Sequence, residues 1–273
     1  MRMKKHLSTI LLVVVLLAGL SLLLYPTVAN FVNSRNQTRA IATYREKLET
    51  EVVSYEADWA AARDYNRRLM EKGAMTVLSD SEKQEYESLL NLGGNGIMGY
   101  IEIPKINIRL PLYHGTSEGV LQIAIGHIEN TSLPTGGMGT HCAVSGHRGL
   151  PSARLFTDLD QMAVGDRFMM HVLDETLTYE VDQILVVLPH ETEALAIDPM
   201  QDYCTLVTCT PYGINSHRML VRGHRVETVA QKPEIEIMAE AEQIDEKTVI
   251  KYLAIPAAVL LFVSLLLPTK KKR

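Results

Sequence analysis

Apolar residues concentrate in two uncharged runs near the ends of the chain, and the middle alternates between polar and apolar positions. The runs cover residues 7–25 and residues 252–268, and basic clusters flank them at residues 2–5 and 270–273. A helix of about 20 apolar residues crosses the hydrocarbon core of a bilayer. Because basic residues stay on the cytoplasmic side, the pattern predicts a transmembrane helix at each end and both termini in the cytoplasm.

The first run has an alternative interpretation as a cleaved signal peptide, with residues 27–29 (Thr-Val-Ala) as the cleavage site. Its apolar stretch is longer than the core of a usual signal peptide, which favours a retained anchor. The second run is shorter and contains Pro256, but the basic cluster after it favours a stop-transfer helix. Residues 30–247 are then expected outside the membrane.

Helical periodicity follows the first run. Apolar residues recur at three- and four-residue steps over residues 35–72, and neither Pro nor Gly interrupts them, which predicts one amphipathic helix. Residues 78–92 are polar and predict a connection followed by a short helical piece. The glycines at 93, 94 and 96 end that piece.

The pattern changes to short strands from residue 98 onward. Turn residues separate seven predicted strands, at 99–103, 106–113, 141–145, 167–172, 177–188, 204–210 and 218–226. Residues 121–127 predict a short helix. Several short strands at this spacing predict an all-β barrel or sandwich.

Five segments follow from these patterns in the 273-residue chain. They are a cytoplasmic tip and transmembrane helix (1–33), a helical extension with a candidate lid (34–97), a β domain (98–228), an acidic linker (229–248), and a transmembrane helix with a basic tail (249–273). The net charge of −5 argues against a nucleic-acid partner.

Three cysteines lie outside the apolar runs, and an odd number in an exported domain leaves at least one thiol unpaired. Cys209 ends an apolar strand directly before a Pro-Tyr-Gly turn, a position that fixes and exposes a side chain. Taken alone, a free cysteine is more often a small core residue.

Two further residues provide Cys209 with partners. His147 follows an apolar strand between two glycines, and Arg218 opens the strand after the cysteine's turn. A thiolate can attack a peptide carbonyl, histidine can protonate the leaving amine, and arginine can stabilise the oxyanion. No Asp or Asn that would orient His147 is evident, so a Cys–His–Arg set is favoured over a papain-like triad.

These residues carry a resemblance to the sortase family. Residues 205–209 (Thr-Leu-Val-Thr-Cys) match the family's TLxTC signature, residues 145–148 resemble its histidine segment, and residues 217–223 resemble its arginine strand. The segment at 100–105 resembles the opening strand of the domain, and residues 126–134 resemble the pilus-building class C members. The resemblance covers residues 99–226 and implies a closed eight-stranded β-barrel with short helices, a helical N-terminal extension and two terminal membrane helices.

The resemblance also implies a function. Cys209 would be the nucleophile, His147 the general acid and Arg218 the transition-state stabiliser of a transpeptidase. The substrate would be a pilin or surface protein with an LPxTG-like sorting signal, which is cut between Thr and Gly. For class C the acceptor is usually a lysine of the next pilin, and an amine of cell-wall peptide is a second candidate. A hydrolytic cysteine protease and a non-catalytic membrane-tethered binding protein are also compatible with these residues.

Class C sortases commonly carry a lid with an Asp-Pro-aromatic triplet. The corresponding stretch at residues 78–82 keeps Asp80, followed by Ser81, but lacks the Pro and the aromatic residue. We therefore expect a loose or missing lid, with Asp80 still able to reach Arg218. Candidate groove residues are Ser145, Thr208 and Tyr212, and residues 189–202 are a candidate for substrate selection.

The remaining cysteines and histidines predict no further chemistry. Cys142 and Cys204 each lie five residues before a catalytic candidate, so parallel pairing of their strands would place them level, on the face opposite His147 and Cys209. Buried thiols are favoured there over a disulfide. No histidine has metal-ligand spacing, and no metal or other cofactor is expected.

Overall fold

The computed structural model describes residues 2–50, 54–73 and 78–228. The chain divides into two compact units, Met1–Thr27 with Gln231–Arg273, and Val28–Ala230. The predicted linker at 229–248 and the second predicted membrane helix at 249–273 lie outside the described residues. Within the first unit, the description covers only the beginning of the first helix.

Helix α1 (Arg2–Thr50) begins with the first apolar run. Within the described part of the chain, its Leu11–Thr50 portion is the one segment long and apolar enough to cross a membrane, with a mean hydropathy of 2.5 over its most apolar window. None of that window is buried. An apolar N-terminal helix of this kind is consistent with the predicted membrane anchor.

The second half of α1 lies against the β domain. Tyr44 is buried, and its hydroxyl donates to the carbonyl of Met98 at 3.0 Å and accepts from the amide of Leu173 at 2.8 Å. Asn33 and Gln37 donate to the carbonyls of Ser152 and Ile123 at 2.8 and 2.6 Å. These bonds satisfy carbonyls of the β domain and fix the helix on its side.

The prediction of one helix over residues 35–72 is wrong. Helix α1 ends at Thr50, Ser54 and Tyr55 are not helical, and α2 (Glu56–Lys72) follows. The sequence there includes Thr50, Val52 and Val53, and β-branched residues lose side-chain freedom in a helix. The apolar stripe continues across this break, which is why periodicity alone did not show it.

Helices α2 and α3 (Asp80–Ser88) pack together beside the β domain. Asn66 of α2 is buried, donates to the carbonyl of Leu133 at 3.0 Å and accepts from the amide of Leu133 at 2.7 Å. Ser79 and Glu82 form a capping box at the start of α3, which satisfies amides that the first helical turn leaves unpaired.

Within the described residues, eight strands form a closed barrel in the order β1-β2-β3-β4-β7-β8-β6-β5. The strands are β1 (Ile97–Ile103), β2 (Ile108–Tyr113), β3 (Ile125–His127), β4 (Thr140–Ser145), β5 (Arg167–Val172), β6 (Glu175–Val187), β7 (Asp202–Thr210) and β8 (His217–Val226). The β2–β3 and β4–β7 pairs are parallel, and the remaining pairs are antiparallel. The predicted β domain is therefore a barrel.

The predicted helix at 121–127 is replaced by a short helix and a strand. Helix α4 is Glu118–Leu121, and the residues from Ile125 to His127 form β3. A Cβ on Gly126 would lie 2.1 Å from the carbonyl oxygen of Gly115. Glycine therefore permits the close backbone approach that lets so short a strand join β2 to β4.

Candidate active site

Cys209 and Arg218 face each other across the β7–β8 hairpin. They are direct partners in the antiparallel register, so their Cα atoms are about 5 Å apart. The strand fixes both side chains, and the turn between the strands leaves Cys209 only partly buried. This register agrees with the arrangement expected from the sequence.

The parallel β4–β7 pair brings His147 to the same end of the barrel. Ser145 is the partner of Val207, and the amide of Gly146 donates to the carbonyl of Val207 at 3.1 Å. His147 stands two residues beyond Ser145, as Cys209 stands two residues beyond Val207. The three residues that the sequence singled out thus meet where β4, β7 and β8 lie side by side.

The Arg218 guanidinium is held by its own loop. Its Nη1 donates to the carbonyls of Asn215 and His217 at 3.2 and 3.1 Å. Its remaining guanidinium nitrogens make no hydrogen bond to the described residues. A guanidinium that is held in place beside a thiol can donate its unused N–H groups to an oxygen that gains negative charge.

His147 is partly buried, and its side chain makes no hydrogen bond to any described residue. Its backbone carbonyl accepts from the amide of Phe156 at 3.1 Å, which ties the following loop back to it. No carboxylate or amide side chain within the described ranges forms a hydrogen bond with the ring.

Of the candidate groove residues, Ser145 and Tyr212 lie near the three residues, whereas Thr208 points into the barrel. Ser145 shares the outward face with Cys209, and the exposed Tyr212 ring packs over Gly149, where a Cβ would come within 2.7 Å. Thr208 is buried and donates to the carbonyl of Gly146 at 2.7 Å. Alternate residues of a strand face opposite sides, so Thr208 supports the histidine segment from within.

Asp80 and Ser81 lie in the first turn of α3, in the connection from α2. Glu82 in the same turn pairs with Lys72 at 2.7 Å, and Met70 of α2 approaches Gly139, next to the first residues of β4. That is the end of β4 opposite His147. The described contacts of this segment therefore hold it against α2, and the structure does not bring Asp80 to Arg218.

An apolar strip that the sequence analysis did not identify lies beside Cys209. Its buried members are Ala143, Leu195, Val207 and Leu220, with Ile128, Leu185, Val187 and Ala194 packed against them. Val207 and Leu220 share the face of Cys209 and Arg218. Strand alternation could have revealed those two positions, whereas Leu195 and Ala194 come from the predicted selection segment at 189–202 and depend on the tertiary fold.

A pocket of about 470 Å³ includes His147 in its wall and shares no residue with this strip. Its wall includes Glu118 of α4, Arg148 and Asn215. Arg148 forms an ion pair with Asp160 and donates to the hydroxyl of Thr210 at 3.3 Å. The sequence motifs gave no signal for Glu118, because α4 is brought to this place only by barrel closure.

Cys142 and Cys204 are level in the β4–β7 register and buried, and no disulfide joins them. Burial raises the pKa of the Cys204 thiol well above its usual range, which disfavours the thiolate needed for attack. Both lie inside the barrel, so Cys209 is the accessible thiol. Among the described residues, no group of three His, Cys, Asp or Glu side chains could hold a metal ion.

Comparison with known proteins identifies similar chains. The Sortase domain family model matches residues 101–226. The structure resembles sortase C1 from Streptococcus agalactiae with 51% identity and a TM-score of 0.68, covering 70% of this chain and 100% of that one. It also resembles sortase C from Streptococcus pneumoniae with 40% identity and a TM-score of 0.63, covering 71% of this chain and 100% of that one.

Curated relatives are more distant. Sortase A from Bacillus anthracis is 28% identical over 50% of this chain and 63% of its own length, and sortase D from Bacillus subtilis is 28% identical over 47% and 63%. The chain thus spans less than two thirds of the curated relatives that it matches.

Proposed function

This chain belongs to the sortase family, and on that premise we propose that it is a cysteine transpeptidase that cleaves an LPxTG-like sorting signal between Thr and Gly. The carrying observation is the meeting of Cys209, His147 and Arg218 at one end of β4, β7 and β8, with Arg218 directly opposite the thiol. The acyl group is passed to an amine, which we propose to be a pilin lysine in a pilus-assembly reaction.

The first half-reaction forms a thioester. The Cys209 thiolate attacks the carbonyl carbon of the Thr–Gly bond, and the resulting oxyanion accepts hydrogen bonds from the unused donors of Arg218. The C–N bond then breaks, and protonated His147 gives its proton to the leaving amine. The products are an acyl-Cys209 thioester, a free glycine amine and neutral His147.

The second half-reaction reverses these roles. A neutral acceptor amine attacks the thioester carbonyl, and an N–H proton of the amine passes to His147. The C–S bond breaks as Cys209 leaves as a thiolate. The free enzyme is regenerated with protonated His147, and the product contains a new amide bond.

The apolar strip supports a sorting signal as substrate. It runs from the Cys209–Arg218 pair over Val207 and Leu220 to Leu195. Leu and Pro of an LPxTG-like segment would bury apolar surface there, worth about 25 cal/mol for each Å² removed from water. We propose that residues 189–202 contribute to this selection.

The identity of the acceptor amine distinguishes pilus assembly from attachment to cell-wall peptide. The similar structures include class C sortases, and the pneumococcal sortase C structure is described in terms of pilin substrate specificity. These similarities favour a protein lysine. The second candidate is attachment to an amine of cell-wall peptide, because the curated relatives include two sortases A, a sortase D and a sortase SrtE1.

We propose that α1 anchors the barrel on the extracellular side, with both termini in the cytoplasm and a second membrane helix over residues 249–273. The apolar N-terminal helix supports the first anchor, and the basic residues at 2–5 and 270–273 support the orientation. Cysteine accessibility labelling in intact cells tests this topology, at a cysteine added to either terminus of Cys209→Ala, which lacks the accessible native thiol. Labelling by a membrane-impermeant reagent would contradict it.

The test of the chemistry is intact-mass analysis of the full chain in detergent with an LPxTG peptide. We expect an adduct equal to the acyl fragment, absent from Cys209→Ala. Arg167→Lys, which changes an exposed pair on β5, should form the adduct as the wild type does. No adduct from a folded wild-type protein with reduced Cys209, over several sorting peptides, would favour a non-catalytic binding protein.

A further inference from the structure

The pocket beside His147 is formed by residues other than those of the apolar strip. Loop residues after β2, the segment that follows His147, and Asn215 of the β7–β8 turn form its wall. Its volume of about 470 Å³ is within the range of pockets that bind small ligands. A side chain with its flanking backbone fits in such a space.

Proton transfer places the acceptor amine at this pocket. His147 protonates the leaving amine in the first half-reaction, so by microscopic reversibility it accepts the proton of the incoming amine in the second. Both amines must come within hydrogen-bond reach of the same ring. The pocket wall contains that ring, whereas the apolar strip suits the acyl portion of the substrate.

The charges of the pocket favour a cation. Glu118 is exposed at the pocket wall, and its carboxylate makes no ion pair or hydrogen bond with any described residue. The positive charge of Arg148 is countered by its ion pair with Asp160, and the Arg148 side chain is only 10% exposed. The uncompensated charge facing an incoming group is therefore the Glu118 carboxylate.

Exposed apolar side chains adjoin the pocket, where the Tyr212 ring lies against the lining residue Gly149. Tyr212 and Ile214 of the β7–β8 turn are 61% and 73% exposed, and Leu150 and Pro151 continue from the segment after His147. Exposed aromatic and aliphatic side chains that lie together mark protein contact surfaces. Such a surface beside the pocket suits an amine presented by another protein.

We propose that this pocket is the acceptor site and that Glu118 is the specificity-determining carboxylate that draws in the primary ammonium of the acceptor. This inference rests on the proposed transpeptidase function and extends it to the second substrate. The ammonium loses one proton to solvent, the free amine attacks acyl-Cys209, and a second N–H proton passes to His147. Glu118 binds the acceptor and takes no part in the acylation half-reaction.

The experiment separates acylation from transfer. The full chain in detergent receives an LPxTG peptide and either an Nα-acetylated lysine peptide or triglycine as acceptor, and thioester formation and transfer are measured separately. We expect Glu118→Gln to form the thioester at the wild-type rate but to raise the KM for the acceptor about three- to fivefold, the size of an exposed ion pair. Glu118→Lys should raise it about tenfold, and 1 M salt should abolish both differences.

Glu87→Gln is the matched control, because it removes an exposed carboxylate from α3, outside the pocket. A KM change confined to the lysine peptide assigns the pocket to protein lysines, and a change with both acceptors assigns it to primary amines in general. Normal thioester formation with an unchanged acceptor KM in both Glu118 variants overturns this inference alone. Absence of any thioester in the wild type overturns the proposed function and this inference with it.

Discussion

At the scale of single residues, alternation along β7 gives neighbouring side chains opposite environments. Cys209 and Val207 face outward with Arg218 and Leu220, whereas Thr208 and Cys204 are buried in the barrel. The sequence predicted the residue types of the site, because Cys209, His147 and Arg218 each stand at a strand end. The prediction of Thr208 as a groove residue relied on its position next to Cys209. Adjacent residues of a strand face opposite sides of the sheet, so Thr208 points into the barrel.

Arg218→Lys tests whether the guanidinium fork matters beyond its charge. Lysine keeps the positive charge but cannot hold two loop carbonyls and still present fixed donors to an oxyanion. We expect the rate of thioester formation to fall about 100-fold, as for the loss of an oxyanion donor, with the wild-type melting temperature. Arg167→Lys is the control for the same exchange on the barrel surface, and equal rates for both variants would contradict the role of Arg218.

Thr208→Val tests the bond from β7 to the histidine segment. The exchange preserves shape but leaves the buried Gly146 carbonyl without the Thr208 hydroxyl, at a cost of about 1–2 kcal/mol in the free energy of unfolding. If the bond positions His147, kcat for thioester formation falls several-fold while KM for the sorting peptide stays constant. Thr208→Ser should restore kcat, and a changed KM would instead indicate a groove role.

At the scale of elements, α3 is attached to the barrel through one tyrosine. Tyr86 is fully buried, and its hydroxyl accepts from the amide of Gly115 and donates to Nδ1 of His127, both at 2.9 Å. Nε2 of His127 in turn donates to the carbonyl of Ser132 at 2.9 Å. Burial raises the pKa of Tyr86 far above its ordinary value, so its side chain remains a neutral phenol that can donate.

Two tyrosine exchanges measure this attachment. Tyr86→Phe leaves two buried partners unpaired and should lower the free energy of unfolding by about 2–3 kcal/mol. Tyr65→Phe removes a buried hydroxyl that has no partner among the described residues, so it should be neutral or stabilising. Urea unfolding of both variants checks the contrast. Equal losses in the free energy of unfolding would show that the hydrogen bonds of Tyr86 do not stabilise the fold more than the unpaired hydroxyl of Tyr65 does.

The predicted and observed boundaries of the elements show where hydrophobic periodicity is sufficient to predict a strand or helix and where it is not. Strands β5, β7 and β8 agree with the predicted strands within two residues, since each contains a run of apolar residues. Strand β3 has only three residues and cannot show a period, and its pairing depends on Gly126 and Gly115 being brought together. The break after α1 was hidden because both helices keep apolar residues on one stripe.

At the scale of the whole molecule, the closed fold withdraws two histidines from solvent, which disfavours their charged forms. Burial lowers the pKa of His114 and of His141. His141 donates through Nδ1 to the carbonyl of Ala196 at 2.9 Å and accepts through Nε2 from the hydroxyl of Thr205. The barrel thereby holds the segment at 189–202, which contributes to the apolar strip.

Stability should consequently fall on acidification. The unfolded histidines have pKa values of about 6.5, above their folded values, so between the two the unfolded chain binds more protons and the free energy of unfolding decreases as pH falls. Each histidine contributes at most about 1.4 kcal/mol per pH unit in that window. Urea midpoints from pH 8 to pH 5 measure the slope.

His141→Gln should reduce that slope, whereas His190→Gln should not, because His190 is exposed. An unchanged slope in His141→Gln would exclude this histidine as a source of the acid sensitivity. Sequence analysis could not foresee this property, because burial of individual histidines follows from barrel closure and from the loops that cover the strands.

The parallel pairing of β4 and β7 determines when the candidate site is assembled during folding. The bond between Thr208 and Gly146 joins positions 62 residues apart in sequence, and contacts of such separation form late because a long loop must first close. A chain in the act of folding therefore carries Cys209 without His147 beside it. The candidate site is assembled only when the barrel is complete, so an unfinished chain is expected to lack acyl-transfer activity.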